Sequence, residues 1–387
     1  AAPPAAAVDG GPAGTRASAP WLVAGSGGSR RAERCLHLAP DDAVVVRAVG
    51  QHYGQGSYLL AHAEDAPGLG EDDFAFHGLL EALLDSCEGH QHAVAQGPLW
   101  MVDIGTHGSA VAALASSLGC AVAAFDPEAA GVRSLEMTRC INAPERPFVV
   151  FPAMAAAAGP NASVPAHQDG LPDTSRVVPS VALDSLFVPG ASGNASVATA
   201  LSSAEAGINL SVAEIMLLKV TPHRCCGGGA VLQALQGSRM LLESHRVRCL
   251  AVEVAFDNNS VALLDLLSDL EGMGYLLLQS GPPSFAAQQA VENGSYPLYR
   301  TDAGQLRELH ETLRRIQRFD ERTGFRVYSD GLSLDRDGQY FDYTNLVVAC
   351  RGTLPSHLAP RARAQLRFRG GRWWPEISGD APAYDPR

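Results

Sequence analysis

Apolar runs that stop at acidic or glycine-rich positions recur along this chain. Leu99-Trp100-Met101-Val102 stops at Asp103-Ile104-Gly105, and Cys120 to Phe125 ends at Asp126-Pro127-Glu128. Between the two, Ala110 to Leu118 is small and helix-forming. Pro147–Phe151, Glu214–Val220, Val247–Phe256, Tyr275–Leu278 and Thr344–Cys350 read as five more strands. Helical stripes separate them: Val231, Ala234, Leu235 and Leu242 after a triple glycine, then Leu263, Leu266, Leu267 and Leu270, then Leu306, Leu309, Leu313 and Ile316. Leu79, Leu80, Leu83 and Leu84 mark a helix over 76–87, and Val44-Val45-Val46 a short strand. Continuous apolar strands alternating with helices of period 3.6 predict an α/β chain with a mostly parallel sheet covered on both faces.

The remaining segments divide the chain. Residues 1–30 are rich in Ala, Pro, Gly and Ser and read as a flexible arm, with a lead-in at 31–98. The sheet domain spans 99–352, with insertions at 153–210 and 280–340, and 353–387 is a C-terminal extension. Residues 153 to about 180 lack periodicity and predict a long surface loop.

The acidic strand ends carry the first chemistry. Two parallel strands joined by a helix make a nucleotide-binding half-fold, with ligands beyond the strand C-termini. The dinucleotide fingerprint G-x-G-x-x-G is absent: Gly105 is followed by Thr106 and His107, and Asp103 stands before it. A carboxylate there repels a pyrophosphate and suits a cationic amino-acid end. Asp126, 23 residues on, can accept hydrogen bonds from a ribose diol. A ribose nucleoside without phosphate, joined to a charged amino acid, is S-adenosylmethionine.

Composition narrows the setting. The 387 residues carry a net charge of −12, which disfavours nucleic acid as a partner. The densest basic patch, Arg361 to Arg369, reads as a strand or arm with solvated arginines. No run of apolar residues is long enough for a membrane span. Five of the eight asparagines begin N-x-[ST] sequons, namely Asn161, Asn194, Asn209, Asn258 and Asn293, where chance gives about one. They point to a secretory-pathway lumen or the extracellular space; a cytoplasmic chain with incidental sequons is the alternative. The eight cysteines are compatible with disulfides without demanding them, and Cys120 and Cys249, inside core strands, read as plain buried apolar residues.

The order of these motifs resembles the FkbM-type methyltransferases, a branch of the class I S-adenosylmethionine-dependent fold. The resemblance runs from about Phe76 to Cys350 and rests on Val102-Asp103-Ile104-Gly105, Ala124-Phe125-Asp126-Pro127, Asn142, Val181-Ala182-Leu183-Asp184, Leu217-Leu218-Lys219-Val220, Ala234-Leu235-Gln236-Gly237 and Ala251-Val252-Glu253-Val254. It implies a doubly wound, seven-stranded, mostly parallel sheet of the Rossmann-like methyltransferase type, the last strand antiparallel, and methyl transfer to oxygen, often on sugars or natural products. Two departures stand out. His107 occupies the family's asparagine position in the first glycine loop, with the second glycine displaced to Gly108. After the fourth strand the family's Lys-Ile-Asp-x-Glu-Gly becomes Lys219-Val220-Thr221-Pro222-His223, with residues inserted before Gly227. A carboxylate lost there means a changed substrate or no catalysis.

Within that resemblance Asp103, Gly105, His107, Asp126 and Asp184 are the expected cofactor-binding residues. An alcohol acceptor needs a base, and Lys219, His223 and Glu253 are the expected catalytic residues. Lys219 is the sole lysine among 29 basic residues, which singles it out. His223 has a second reading as a polar loop residue. Cys87-x-x-His90-x-His92 lacks a partner pair for a closed zinc site, so no metal is expected. Vicinal Cys225-Cys226 reads as part of a lumenal loop, and Trp373-Trp374 as packing residues or a platform for a sugar ring. The expectation is an O-methyltransferase acting on a small-molecule or glycan hydroxyl. A catalytically silent relative that binds or scaffolds is the alternative.

Overall fold

The computed structural model describes residues 35, 43–47, 58–62, 98–105, 110–142, 146–157, 161–166, 174–190, 210–221, 227–253, 260–280, 298–308, 311, 333–334, 340–341, 346–351, 364–369 and 372–377. A hairpin comes first, β1 (Ala43–Arg47) with β2 (Tyr58–His62). Then follow β3 (Leu99–Ile104), α1 (Ala110–Ser117), β4 (Ala121–Phe125), α2 (Ala129–Asn142) and β5 (Phe148–Phe151). β6 (Met154–Ala155), β7 (Asn161–Ala166), β8 (Thr174–Val181) and α3 (Leu183–Phe187) come next. The second half holds β9 (Glu214–Val220), α4 (Gly227–Gln236), α5 (Arg239–Glu243), β10 (Val247–Glu253), α6 (Ser260–Gly272) and β11 (Leu276–Ser280). β12 (Leu298–Arg300), β13 (Ser333–Leu334), β14 (Tyr340–Phe341), β15 (Leu346–Cys350), β16 (Ala364–Arg369) and β17 (Arg372–Ile377) close the chain.

The principal sheet runs β12-β11-β15-β10-β9-β3-β4-β5. Seven of these strands are those expected from the apolar runs, and the three-residue β12 adds an edge. β5, β4, β3, β9 and β10 are mutually parallel, whereas β15 is antiparallel to both β10 and β11. Starting at β3, the chain first builds outward through β4 and β5, then returns to add β9 on the opposite side of β3. The strand order therefore reverses between β3 and β9, where an open α/β sheet leaves a crevice beyond the strand C-termini.

Both sheet faces are covered, which is why the strands read as unbroken apolar runs. All six residues of β3 are buried. Trp100, Val102 and Ile104 join Val231, Ala234 and Leu235 of α4 and Leu263, Leu264, Leu267 and Leu270 of α6 in one core. Leu99 and Met101 face the other way, toward Val111, Ala112 and Ala115 of α1 and Leu135 of α2. The period-2 alternation sets Asp103 on the α1/α2 side. Arg246, at the foot of β10, donates to the carbonyls of Phe187, Leu210 and Ala213, and so fastens α3 and the turn Leu210–Val212 to the sheet. Burial pulls its guanidinium pKa down.

Three expectations are corrected. The supposed loop after 153 holds β6, β7 and β8, a small sheet ordered β6-β8-β7. Pro165 and Pro179 within these strands interrupt the apolar alternation that announces a strand. The helix drawn through Val231 to Leu242 is two helices. At Gly237 the chains come so close that a Cβ would lie 2.1 Å from the Ala156 carbonyl oxygen. Cys120 and Cys249 are buried, yet both are disulfide-bonded. Cys249 and Cys350 face each other in register on β10 and β15 and are joined, and Cys35 is joined to Cys140 of α2. The partner of Cys120 lies outside the described residues, among which no cysteine is free. Residues 76–87, the expected lead-in helix, also lie outside them.

No helix among the described residues is long and apolar enough to cross a membrane. Arg361–Arg369 contributes β16, hairpinned to β17, where Trp374 pairs with Arg367 and Trp373 with Phe368.

Candidate functional site

The C-terminal ends of β3, β4 and β9 border a crevice open to solvent. Its walls are Ile104 and Gly105, Phe125 and Pro127, Val220 and Thr221, Ala153 to Ala155, and Ala230 in the first turn of α4. Its cavity volume is about 20 Å³, room for a single water and far below the ~300–1,000 Å³ usual for ligand sites, so a nucleoside enters only if the walls move apart. One wall is stiffened by Phe125 stacked on Phe151, with ring centroids 4.3 Å apart and planes 7° from parallel.

Asp103 and Lys219 sit side by side in register on β3 and β9. Asp103 is fully buried, and its Oδ1 accepts from Lys219 Nζ at 2.8 Å. Nζ also donates to the Gly105 carbonyl at 3.2 Å and to Thr221 Oγ1 at 3.3 Å. The three ammonium hydrogens thus have three protein acceptors. Thr221 in turn donates its hydroxyl to the Gly105 carbonyl at 2.6 Å and its N–H to the Ile104 carbonyl at 3.0 Å. Burial pushes the Asp103 carboxyl above its ordinary value of 3.8; Lys219 pulls it back, and the charge of Asp126 pushes it up again. Asp103 Oδ2 is buried with no hydrogen-bond partner among the described residues.

Gly105 has to be glycine twice over. Its φ is +77°, and a Cβ would come within 2.4 Å of the Thr221 carbonyl oxygen. Asp126 ends β4 with its N–H on the Phe151 carbonyl. Its Oδ1 accepts from the Glu128 N–H at 2.8 Å, an Asx-type turn into α2. Gly131 makes room for the carboxylate, since a Cβ there would be 2.1 Å from Oδ2. The side chain is buried, with its charge over the N-terminal turn of a helix.

The expected site residues separate into groups. Asp103, Gly105, Lys219 and Asp126 lie at the C-terminal ends of the central strands, where Gly105 lines the crevice and the other three are buried behind its wall. Asp184 faces elsewhere: Oδ1 accepts from the Leu241 N–H at 2.7 Å and Oδ2 from the Met240 N–H at 3.0 Å. It caps α5, whose own Ser238 makes no side-chain cap. Burial pushes its carboxyl up against the pull of those two N–H groups. Its place as a cofactor ligand is thereby corrected to a structural one. The backbone of Glu253 ends β10, next to β9. His107, Gly108, His223, Cys225, Cys226, Cys87, His90 and His92 lie outside the described residues. No group of three metal-ligating side chains occurs among the described residues. Thr221 was read in the sequence only as the residue standing where the resembled family has a carboxylate, and the Ala153–Ala155 wall went unread. Thr221 could have been found from its place two residues after the sole lysine, on the same face of a parallel strand.

No family model, no curated protein and no solved structure matches this chain.

Proposed function

We propose that the crevice, once its walls move apart, takes S-adenosylmethionine and that the chain is a methyltransferase acting on a hydroxyl of a small molecule or glycan, with the strand order and the antiparallel β15 of the class I methyltransferase fold. The observation that carries this reading is the buried Asp126 carboxylate at the end of β4, beside a crevice at the reversal of strand order. A carboxylate there suits a ribose diol, and the apolar walls from Phe125, Pro127, Met154 and Val220 suit a flat base. S-adenosylmethionine supplies a methyl group on a sulfonium to the acceptor oxygen. The chain contributes alignment of the two and a group that takes the hydroxyl proton. Lys219 is set aside as that base, because its buried Nζ is taken up by three protein oxygens, one of them a carboxylate. The base is sought in Glu253 and His223.

A second reading is favoured by one observation: Thr221, not a carboxylate, stands two residues after Lys219 of β9, and its hydroxyl is spent on Gly105. The crevice then binds an adenosine ligand without methyl transfer. Titration calorimetry with S-adenosylhomocysteine tests what both share. One-site binding is expected, weakened in Asp126→Ala by about 1–3 kcal/mol. No heat with the native chain removes both readings. A radiolabelled methyl-transfer assay on a glycan and alcohol panel then separates them. The disulfides and sequons together favour the secretory pathway. A mobility shift on glycosidase treatment of the protein made in glycosylating cells is the expected sign, and no shift speaks for the cytoplasm.

A further inference from the structure

The solitary lysine poses a question that the crevice chemistry leaves unanswered. A chain that uses arginine at every other basic position keeps one lysine, and keeps it fully buried among three oxygens. Those acceptors are a carboxylate, a carbonyl and a hydroxyl, at 2.8, 3.2 and 3.3 Å. An ammonium offers three donors from a single compact atom and matches the set. A planar guanidinium spreads five donors over a wide fork and would bury two or more without partners. The ammonium links β9 to β3 at the point where the strand order reverses. Two of the three acceptors belong to the crevice wall, namely the Gly105 carbonyl and Thr221.

The Gly105 carbonyl is held twice, by Lys219 Nζ and by the Thr221 hydroxyl at 2.6 Å. Thr221 also extends the β-ladder one step beyond β9, its N–H on the Ile104 carbonyl. Its carbonyl oxygen stands where a Gly105 Cβ would be. Gly105 adopts φ +77°, in a turn whose shape is set by what grips its peptide.

We propose that Lys219 and Thr221 are positioning residues: from the end of β9 they clasp the Gly105 peptide at the end of β3, and the clasp fixes the shape of the crevice wall on which a ligand would rest. Lys219 acts through Gly105 and Thr221 rather than on a reacting atom. Thr221 replaces an acid–base role by a hydroxyl that completes the clasp. Ligand affinity in the crevice then depends on the Thr221 hydroxyl itself, and a serine supplies it as well as threonine does. The affinity arm rests on the reading of the crevice as an adenosine site, whereas the conformational arm does not.

The test compares Thr221→Val, which keeps the shape and loses the hydroxyl, with Thr221→Ser, which keeps the hydroxyl. Thr221→Ala stands in if the valine variant does not fold. Ser238→Ala is the control, since it removes an equally buried hydroxyl, bonded to the Ala234 carbonyl at 2.6 Å, away from the Gly105 turn. Calorimetry with S-adenosylhomocysteine should show about tenfold weaker binding for Thr221→Val. Thr221→Ser and Ser238→Ala should stay within about threefold of the native chain. Amide hydrogen exchange of the peptide spanning 98–105 should speed up in Thr221→Val and not in Ser238→Ala. Native affinity in Thr221→Val, or an equal loss in the control, overturns the proposal. If the native chain binds no S-adenosylhomocysteine, the ligand reading fails and exchange alone decides: unchanged exchange in Thr221→Val overturns the clasp, and faster exchange there upholds it.

Discussion

Replacing Lys219 by methionine leaves Asp103 as a buried carboxylate with nothing to balance it. Methionine fills nearly the same length of chain, so the packing loss is small and the electrostatic loss stands out. Asp103 is 0% exposed, its Oδ1 loses its 2.8 Å partner, and its Oδ2 has none among the described residues to begin with. Breaking such a pair costs about 3–5 kcal/mol, whereas an exposed pair is worth about 0–1 kcal/mol. Against a total stability of about 5–15 kcal/mol the effect is large. It should also depend on pH with a definite sign. Burial already holds the Asp103 carboxyl above 3.8, and removing Lys219 takes away the main opposing pull. The folded chain then keeps a proton that the unfolded chain gives up, so stability falls as pH rises from about 3.8 through the raised folded value. The deficit of Lys219→Met is therefore greatest at neutral pH and shrinks toward pH 4. Asp103→Asn/Lys219→Met removes the charge as well and should recover most of the loss, giving a coupling of several kcal/mol in a double-mutant cycle. Urea unfolding of the four chains at pH 7 and near pH 4 measures all of this. A cost below about 1 kcal/mol at pH 7, or the same cost at both pH values, refutes the reasoning.

Three further outcomes are expected. Gly237→Ala forces a Cβ to within 2.1 Å of the Ala156 carbonyl and should cost about 1–3 kcal/mol in thermal or urea unfolding, and a native midpoint would show that the two backbones are not in contact. Tyr275, whose hydroxyl donates to the Val247 carbonyl at 3.0 Å, is pushed up to about 12 by burial, with Arg351 pulling it down. Its contribution is full below the unfolded value near 10 and is lost as pH rises to about 12, so Tyr275→Phe should lack a loss of about 2 kcal/mol across that window; parallel alkaline curves for the two chains would contradict this. The Cys249–Cys350 bond spans 101 residues, so Cys249→Ala/Cys350→Ala should lower stability by about 2–5 kcal/mol, and equal unfolding midpoints with and without the bond would exclude a stabilising role.

Much of the principal sheet was legible because a parallel strand buried on both faces leaves a run that little else produces. All seven apolar runs became strands, and Glu214–Val220 matched residue for residue. β7 and β8 were invisible because their prolines break the alternation that marks a half-buried strand. The split of the long helix was hidden because it depends on a neighbour, the Ala156 backbone, that no local pattern reports. Asp184 was misassigned for the same reason: a short acidic motif looks alike whether it meets a ligand or a helix end 56 residues away.

Composition and periodicity alone thus determined the α/β class, the order of the central strands along the chain, and the acids and glycine at their ends, because burial on two faces and the stops between elements are local properties. Tertiary structure alone decided which of those residues meet. It put the sole lysine on Asp103 rather than toward an acceptor, turned Thr221 onto Gly105, sent Asp184 to cap α5 and paired Cys249 with Cys350. The physical reason is that partner choice for a buried polar group is set by whichever oxygen or N–H the fold brings within about 3 Å, and strand order, not sequence spacing, controls that.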